Sequence, residues 1–470
     1  MRGRAITSLC RGRSFRNALL AALALSCIAA APADARVALH WMPGYRAPGT
    51  PLKYDRVGVI EVGSATARNV LVLEPGTSAA AAYFVPLAKW IVARRPGWQV
   101  WAVQRRETLL QDESELNLAK SGHATATQLF DYYLGWLTEP YYTGSHYRIV
   151  QSSTVEFAKD WGMKVAVQDL HRVIAAARHL GGEVVLGGHS LGGSVVTAYA
   201  TWDFGGHAGA DGLAGLVYID GASGPAETAA QAHSALSTLD STMASPWLTF
   251  GGIAAPYAGL FNAVGSTAAL IDPDGPSDAQ SFSLLPSDLK PPVPATNLGQ
   301  YGYALNVATS PPSLAAAQAH LGAGLDTSTS PAGWNSTGAL TPIDRFAQMF
   351  SGWGLEGVDG TEWYFPQRLT DDTAAVGNGI ANAAQKVLGV DATMGRHLPR
   401  SLKILAICTS LGGSRVLSAT RALAAQSRIP RRNLTLVNRA STYAHNDPAG
   451  AYPHNAFFSH LMTFLGSLAG

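Results

Sequence analysis

The chain has 470 residues, a formal net charge of +2, 14% charged and 47% hydrophobic residues. That length suits one large domain carrying an insertion, or two domains, and the balance argues against a disordered or fibrous chain. Charge this close to neutral, with no basic stripe beyond the N-terminus, argues against a nucleic-acid binder.

The N-terminus reads as a targeting segment. Arg2, Arg4, Arg11, Arg13 and Arg16 precede the apolar run ALLAALALSCIAAAP, and Ala33–Ala35 spell ADA. A charged head, an apolar middle and an A-x-A site make residues 1–35 an expected secretory signal, cleaved near Ala35–Arg36, and place the mature protein outside the cell or in the periplasm. The run is short for a membrane anchor, so no transmembrane segment is expected in the mature chain. Cys10 and Cys27 would leave with the signal. Cys408 then stands alone, without an internal disulfide. No Cys/His cluster has metal-ligand spacing, so neither a metal nor a cofactor is expected.

Strand patterns occupy 56–64 (RVGVIEVGS) and 69–78 (NVLVLEPGTS). A helix is expected over 82–95, stopped by Pro96-Gly97, and a strand over 98–104. Residues 107–162 are irregular and rich in Tyr and Trp. Met163, Val167, Leu170, Ile174, Ala177 and Leu180 then share one helix face, ended by Gly181-Gly182. The strand EVVLGG, a helix over 194–202 and the strand GLVYID follow. After a long interval the rhythm returns with LKILAIC (402–408), a helix over 418–427, NLTLV (433–437) and a final helix over 455–468. Short apolar strands alternating with helices predict a parallel sheet covered on both faces. Residues 222–400 break the rhythm with Pro/Gly/Ser-rich loops and many aromatics, and are expected to form an inserted cap.

The motif G-H-S-L-G at 188–192 needs its context, because a chain with 49 glycines can produce G-x-S-x-G by accident. Here a strand enters, Gly188 and Gly192 flank Ser190, and a helix leaves, which is the setting of a nucleophile elbow. Ser190 is therefore the candidate nucleophile, and a serine hydroxyl needs a base. Three histidines follow the last strand. His460 lies inside the final helix, His454 beside its start, and His445 in the loop directly beyond the strand. His445 is the expected base, with His454 as the alternative; His189 is expected to point away from the active face. The strand ending at Cys408 is followed by Thr409 and Ser410 rather than a carboxylate, so Asp220, at the end of GLVYID, is the expected acid. Asp391 and Asp447 are the alternatives. The oxyanion donors expected are the backbone N–H groups of Leu191 and of Thr77, with Ser78 as an alternative to Thr77.

Over about residues 54–221 and 401–470 the sequence resembles the α/β-hydrolase superfamily, in particular its secreted bacterial esterase- and lipase-like serine hydrolases. GHSLGG resembles the elbow, EPGTS holds the place of the oxyanion loop, and YAHNDP resembles the histidine loop. Two features depart from the pattern: the usual acid position is empty, and Glu74-Pro75-Gly76 stands where His-Gly is often found. The resemblance implies an α/β-hydrolase fold, mostly parallel sheet with helices on both faces. The core would comprise 36–221 and 401–470, and 222–400 the cap or lid. It implies cleavage of carboxylic esters through an acyl-enzyme. The uncharged, aromatic stretch 241–271 points to a hydrophobic, lipid-like or acyl substrate as the partner. An acyltransferase or peptidase with the same triad, or an inactive binding protein of this fold, are the alternatives.

Overall fold

The computed structural model describes residues 36–241 and 244–468. The expected signal segment, with Cys10 and Cys27, lies outside the described residues. One sheet of eight strands organises the chain: β1 (Val37–Pro43), β2 (Arg56–Val62), β3 (Asn69–Glu74), β4 (Trp98–Gln104), β5 (Val184–His189), β6 (Gly215–Ile219), β7 (Lys403–Cys408) and β8 (Leu434–Asn438). Their spatial order is β1-β2-β4-β3-β5-β6-β7-β8. β1 and β2 pair antiparallel with each other and β2 antiparallel with β4; every later pairing is parallel.

Side chains along a strand alternate between faces, and both faces here are buried, which is why the strands read as unbroken apolar runs. Val70 and Val72 of β3 face one core together with Leu170 and Ile174 of α1 (Met163–Arg178) and Val195 and Val196 of α2 (Leu191–Thr201). Leu71 and Leu73 face the other, with Leu87 and Ile91 of the helix Val85–Arg94 and Phe457 and Leu461 of the last helix, Ala456–Gly466. Each such side chain, fully withdrawn from water, contributes about 1.5–3 kcal/mol. This strand order, with helices on both faces, is the α/β-hydrolase fold.

β1 was not expected from sequence. It is an edge strand, mostly half-exposed, and the polar His40 and terminal Pro43 blur its alternation. Between β6 and β7 the chain forms a long insertion. Its helices include α3 (Ala255–Ile271), α4 (Asn297–Leu305) and α5 (Ile343–Ser351), and it holds two short two-stranded ribbons. At Gly259 in α3 a side chain would meet the Trp363 backbone at 2.9 Å, so the glycine permits the close approach. None of the helices among the described residues is long and apolar enough to cross a membrane.

Candidate active site

All six residues of β5 are buried, and the chain reverses abruptly at the next residue. Ser190 sits at φ 56°, ψ −127°, a left-handed conformation that costs of order 1–3 kcal/mol in a side-chain-bearing residue. Its N–H donates to the Ile219 carbonyl at 3.0 Å, tying the turn to β6, and α2 begins immediately. The flanking glycines answer to space. A Cβ on Gly192 would collide with the Glu74 carbonyl, and one on Gly188 with the Gly192 carbonyl. The loop leaving β3 presses on the same turn, since a Cβ on Gly76 would lie 2.8 Å from the Ser190 Cβ.

His445 follows β8 and is buried, with its side chain 2% exposed. Its Nδ1 bonds Asp220 Oδ2 at 2.6 Å, the tautomer in which the neutral imidazole keeps Nε2 as its proton-accepting nitrogen. Asp220 directly follows β6 in another left-handed conformation, φ 48°. Its carboxylate also accepts from the Thr409 N–H at 2.7 Å, from the Thr409 hydroxyl and from the Gly412 N–H at 3.3 Å. Burial raises the Asp220 carboxyl, but the donors from His445 and Thr409 outweigh it and hold it below the usual 3.8. Thr409 thus occupies the place where the sequence lacks an acid, and there it donates to the acid supplied by the neighbouring strand.

The alternatives lie elsewhere. His454 and His460 are exposed, and Asp391 is an exposed residue whose charge lies near Asp203. Asp447 is buried but bonds His320 Nδ1 at 2.5 Å, the Thr341 hydroxyl and the Ala444 N–H rather than His445. His189 departs from its expected orientation. It lines the same cavity as Ser190, and its Nε2–H donates to the His445 carbonyl at 3.0 Å. Burial, together with the adjacent His445 ring, pushes His189 down to about 3, so it remains neutral. Tyr83 stacks on it with centroids 5.2 Å apart and donates to Asn446 Oδ1 at 2.9 Å. These contacts span 256 and 363 residues of sequence, and no local pattern announces them.

The N–H groups of Leu191 and Thr77 have no protein acceptor among the described residues. Leu191 is the first residue of α2, where the helix leaves its N–H groups unpaired and its dipole favours negative charge. Thr77 and Ser78 line the cavity with Ser190 and His445; Ser78 has φ 51° and a buried hydroxyl that finds no partner among the described residues.

That cavity has a volume of about 740 Å³, within the range of small-molecule sites. Phe130 and Leu134 come from the helix Ala126–Tyr133 and the residue that ends it, ahead of α1, and Phe250, Phe261, Val264 and Phe282 from the insertion. Aromatics of the insertion serve two duties. Phe250, Phe261 and Phe350 line the cavity, whereas Phe346, Trp363, Tyr364 and Phe365 are fully buried in packing. Among the described residues no group of three or more His, Cys, Asp or Glu is arranged to hold a metal ion.

No protein-family model matches the chain, and no curated protein matches it. Among solved structures it is similar to a candidate lipase from Sulfolobus solfataricus, with 13% identity, 92% of this chain and 95% of that one covered, and a TM-score of 0.44. A thioesterase domain from the curacin biosynthetic pathway is also similar, at 12% identity, 92% and 99% coverage and a TM-score of 0.40. A highly thermostable carboxyl esterase from Bacillus coagulans gives 12%, 92%, 99% and 0.39.

Proposed function

We propose that this protein is an exported serine hydrolase that cleaves carboxylic esters with a hydrophobic acyl group, residues 222–400 acting as a cap over the site. The observation that carries the reading is the buried His445–Asp220 pair, 2.6 Å long, sharing an apolar cavity with a serine held at φ 56°. In this mechanism Ser190 Oγ attacks the ester carbonyl while His445 Nε2 takes its proton. Asp220 holds the imidazole in the required tautomer and stabilises the imidazolium. The N–H groups of Leu191 and Thr77 receive the oxyanion, each contributing on the order of 3 kcal/mol to barrier lowering. The imidazolium returns its proton to the departing alcohol. Water, activated by the same histidine, then releases the acid from Ser190. Among the described residues His445 is bonded through Nδ1 to Asp220 and not to the Ser190 hydroxyl, and the Ser190–His445 hydrogen bond is expected to form when substrate binds.

The test is hydrolysis of a p-nitrophenyl ester series by residues 36–470 beside Ser190→Ala. Serine-dependent turnover that rises with acyl length supports the reading. No turnover on any ester, with the protein folded, contradicts it.

A further inference from the structure

Directly after β4, Arg105 runs beneath the loop that leaves β3, with its side chain 5% exposed. All five of its N–H donors are engaged: Nε with Glu362 Oε2 at 2.7 Å, Nη1 with Glu74 Oε1 at 2.7 Å and the Pro75 carbonyl at 3.0 Å, and Nη2 with the carbonyls of Gly76 at 2.8 Å and Ala79 at 3.0 Å. Three carbonyls of one short loop are therefore turned toward a single guanidinium. In a trans peptide the C=O and the following N–H point to opposite sides. With the Gly76 carbonyl facing Arg105, the Thr77 N–H is turned away from it, on the side of the loop that lines the cavity. The insertion adds a second grip. The Ala80 N–H donates to the Gly360 carbonyl and the Glu362 N–H to the Ser78 carbonyl, both at 2.9 Å. Glu362 thus holds the loop through its backbone and, through Arg105, by its side chain.

We propose that Arg105 is a positioning residue for the oxyanion hole, fixing the Thr77 N–H, and that Glu362 couples the insertion to that hole. The inference rests on the hydrolase reading above. A lysine cannot substitute, because an ammonium has three donors on a flexible stem and no planar fork to face three carbonyls and two carboxylates. Interactions with the oxyanion develop only in the transition state, so a misdirected Thr77 N–H slows turnover and leaves ground-state binding alone. A role confined to holding the fold together would instead lower the melting temperature and leave the kinetic constants of the folded fraction unchanged.

The experiment compares wild type, Arg105→Lys and Glu362→Gln for kcat and KM on one p-nitrophenyl ester, for inhibition by an alkyl boronic acid, and for thermal unfolding. Expected for Arg105→Lys is a fall in kcat of up to about 10²-fold with KM little changed. Affinity for the boronic acid, tetrahedral and anionic once bonded to serine, should fall in the same proportion. Glu362→Gln, which keeps an acceptor for Nε, should show the same pattern at smaller size; if Arg105→Lys does not fold, this variant carries the test. Unchanged kcat in the folded variants, or a rise in KM alone, would overturn the proposal while the hydrolase reading stands. A wild-type chain that neither turns over ester nor binds the boronic acid would overturn both.

Discussion

Two histidine–carboxylate pairs lie close together in this molecule and do different work. His445 bonds Asp220 through Nδ1 at 2.6 Å, and His320 bonds Asp447 through Nδ1 at 2.5 Å. Both carboxylates are buried, and His445 and Asp447 are only two residues apart in the chain. What separates the pairs is everything around them. The His445 side chain is 2% exposed and shares a cavity with Ser190, whereas that of His320 is 34% exposed and does not line it. The remaining donors to Asp220, from Thr409 and Gly412, come from the turn that directly follows β7. Those to Asp447 come from His320 and Thr341 of the insertion and from Ala444 in the histidine loop itself. A His–Asp contact is therefore no signature of catalysis. In the proposed mechanism the first pair presents a base to a nucleophile, whereas the second ties the insertion to the loop that carries His445.

The largest effect that tests this contrast is on turnover. Asp220→Asn should lower kcat by on the order of 10⁴-fold, as a misoriented imidazole does in other triads. Asp447→Asn should lower stability more than chemistry, since it weakens acceptors for buried donors at about 1–3 kcal/mol. Thermal unfolding and kcat measured on both variants decide the matter, and equal kcat losses would erase the distinction.

Thr409→Val comes next. The ionised Asp220 has a folded value below 3.8, so its contribution to stability is present above about pH 3.8 and is lost as pH falls through the lowered value. Removing the Thr409 hydroxyl raises that value, and acid unfolding should begin at higher pH than in wild type. An unchanged acid midpoint would mean the hydroxyl does not hold the carboxylate.

The smallest effect belongs to His320. Its bond to Asp447 outweighs burial and raises it above 6.5, so its contribution is fully present below about pH 6.5 and is lost as pH rises through the folded value. Wild type should lose a little melting temperature across that interval, and His320→Gln should flatten the loss without altering the dependence of kcat on pH. A shifted kcat profile would place His320 in the chemistry.

Much of this arrangement was readable before any coordinates. The elbow is local: Gly188, Ser190 and Gly192 lie within one turn, and the strand and helix around them carry their own periodicities. His445 could be found from its place beyond the last strand. Asp220 could be reached only because nothing acidic follows Cys408. What the sequence does not express is contact across distance. Thr409 meets Asp220 from 189 residues away, and Arg105 meets Glu362 from 257. His189 was expected to face away and instead supports the His445 carbonyl, because neighbouring backbone rather than local pattern decides where it points. The edge strand Val37–Pro43 is silent in the sequence for a different reason, since a half-exposed strand has no unbroken apolar run to mark it.

The most direct test of the central assignment is covalent labelling with a fluorophosphonate, followed by peptide mass mapping. One adduct per chain is expected, on Ser190, formed rapidly in wild type, slowly in Asp220→Asn and not at all in Ser190→Ala. An adduct on another residue, or equal labelling of Ser190→Ala, would contradict it.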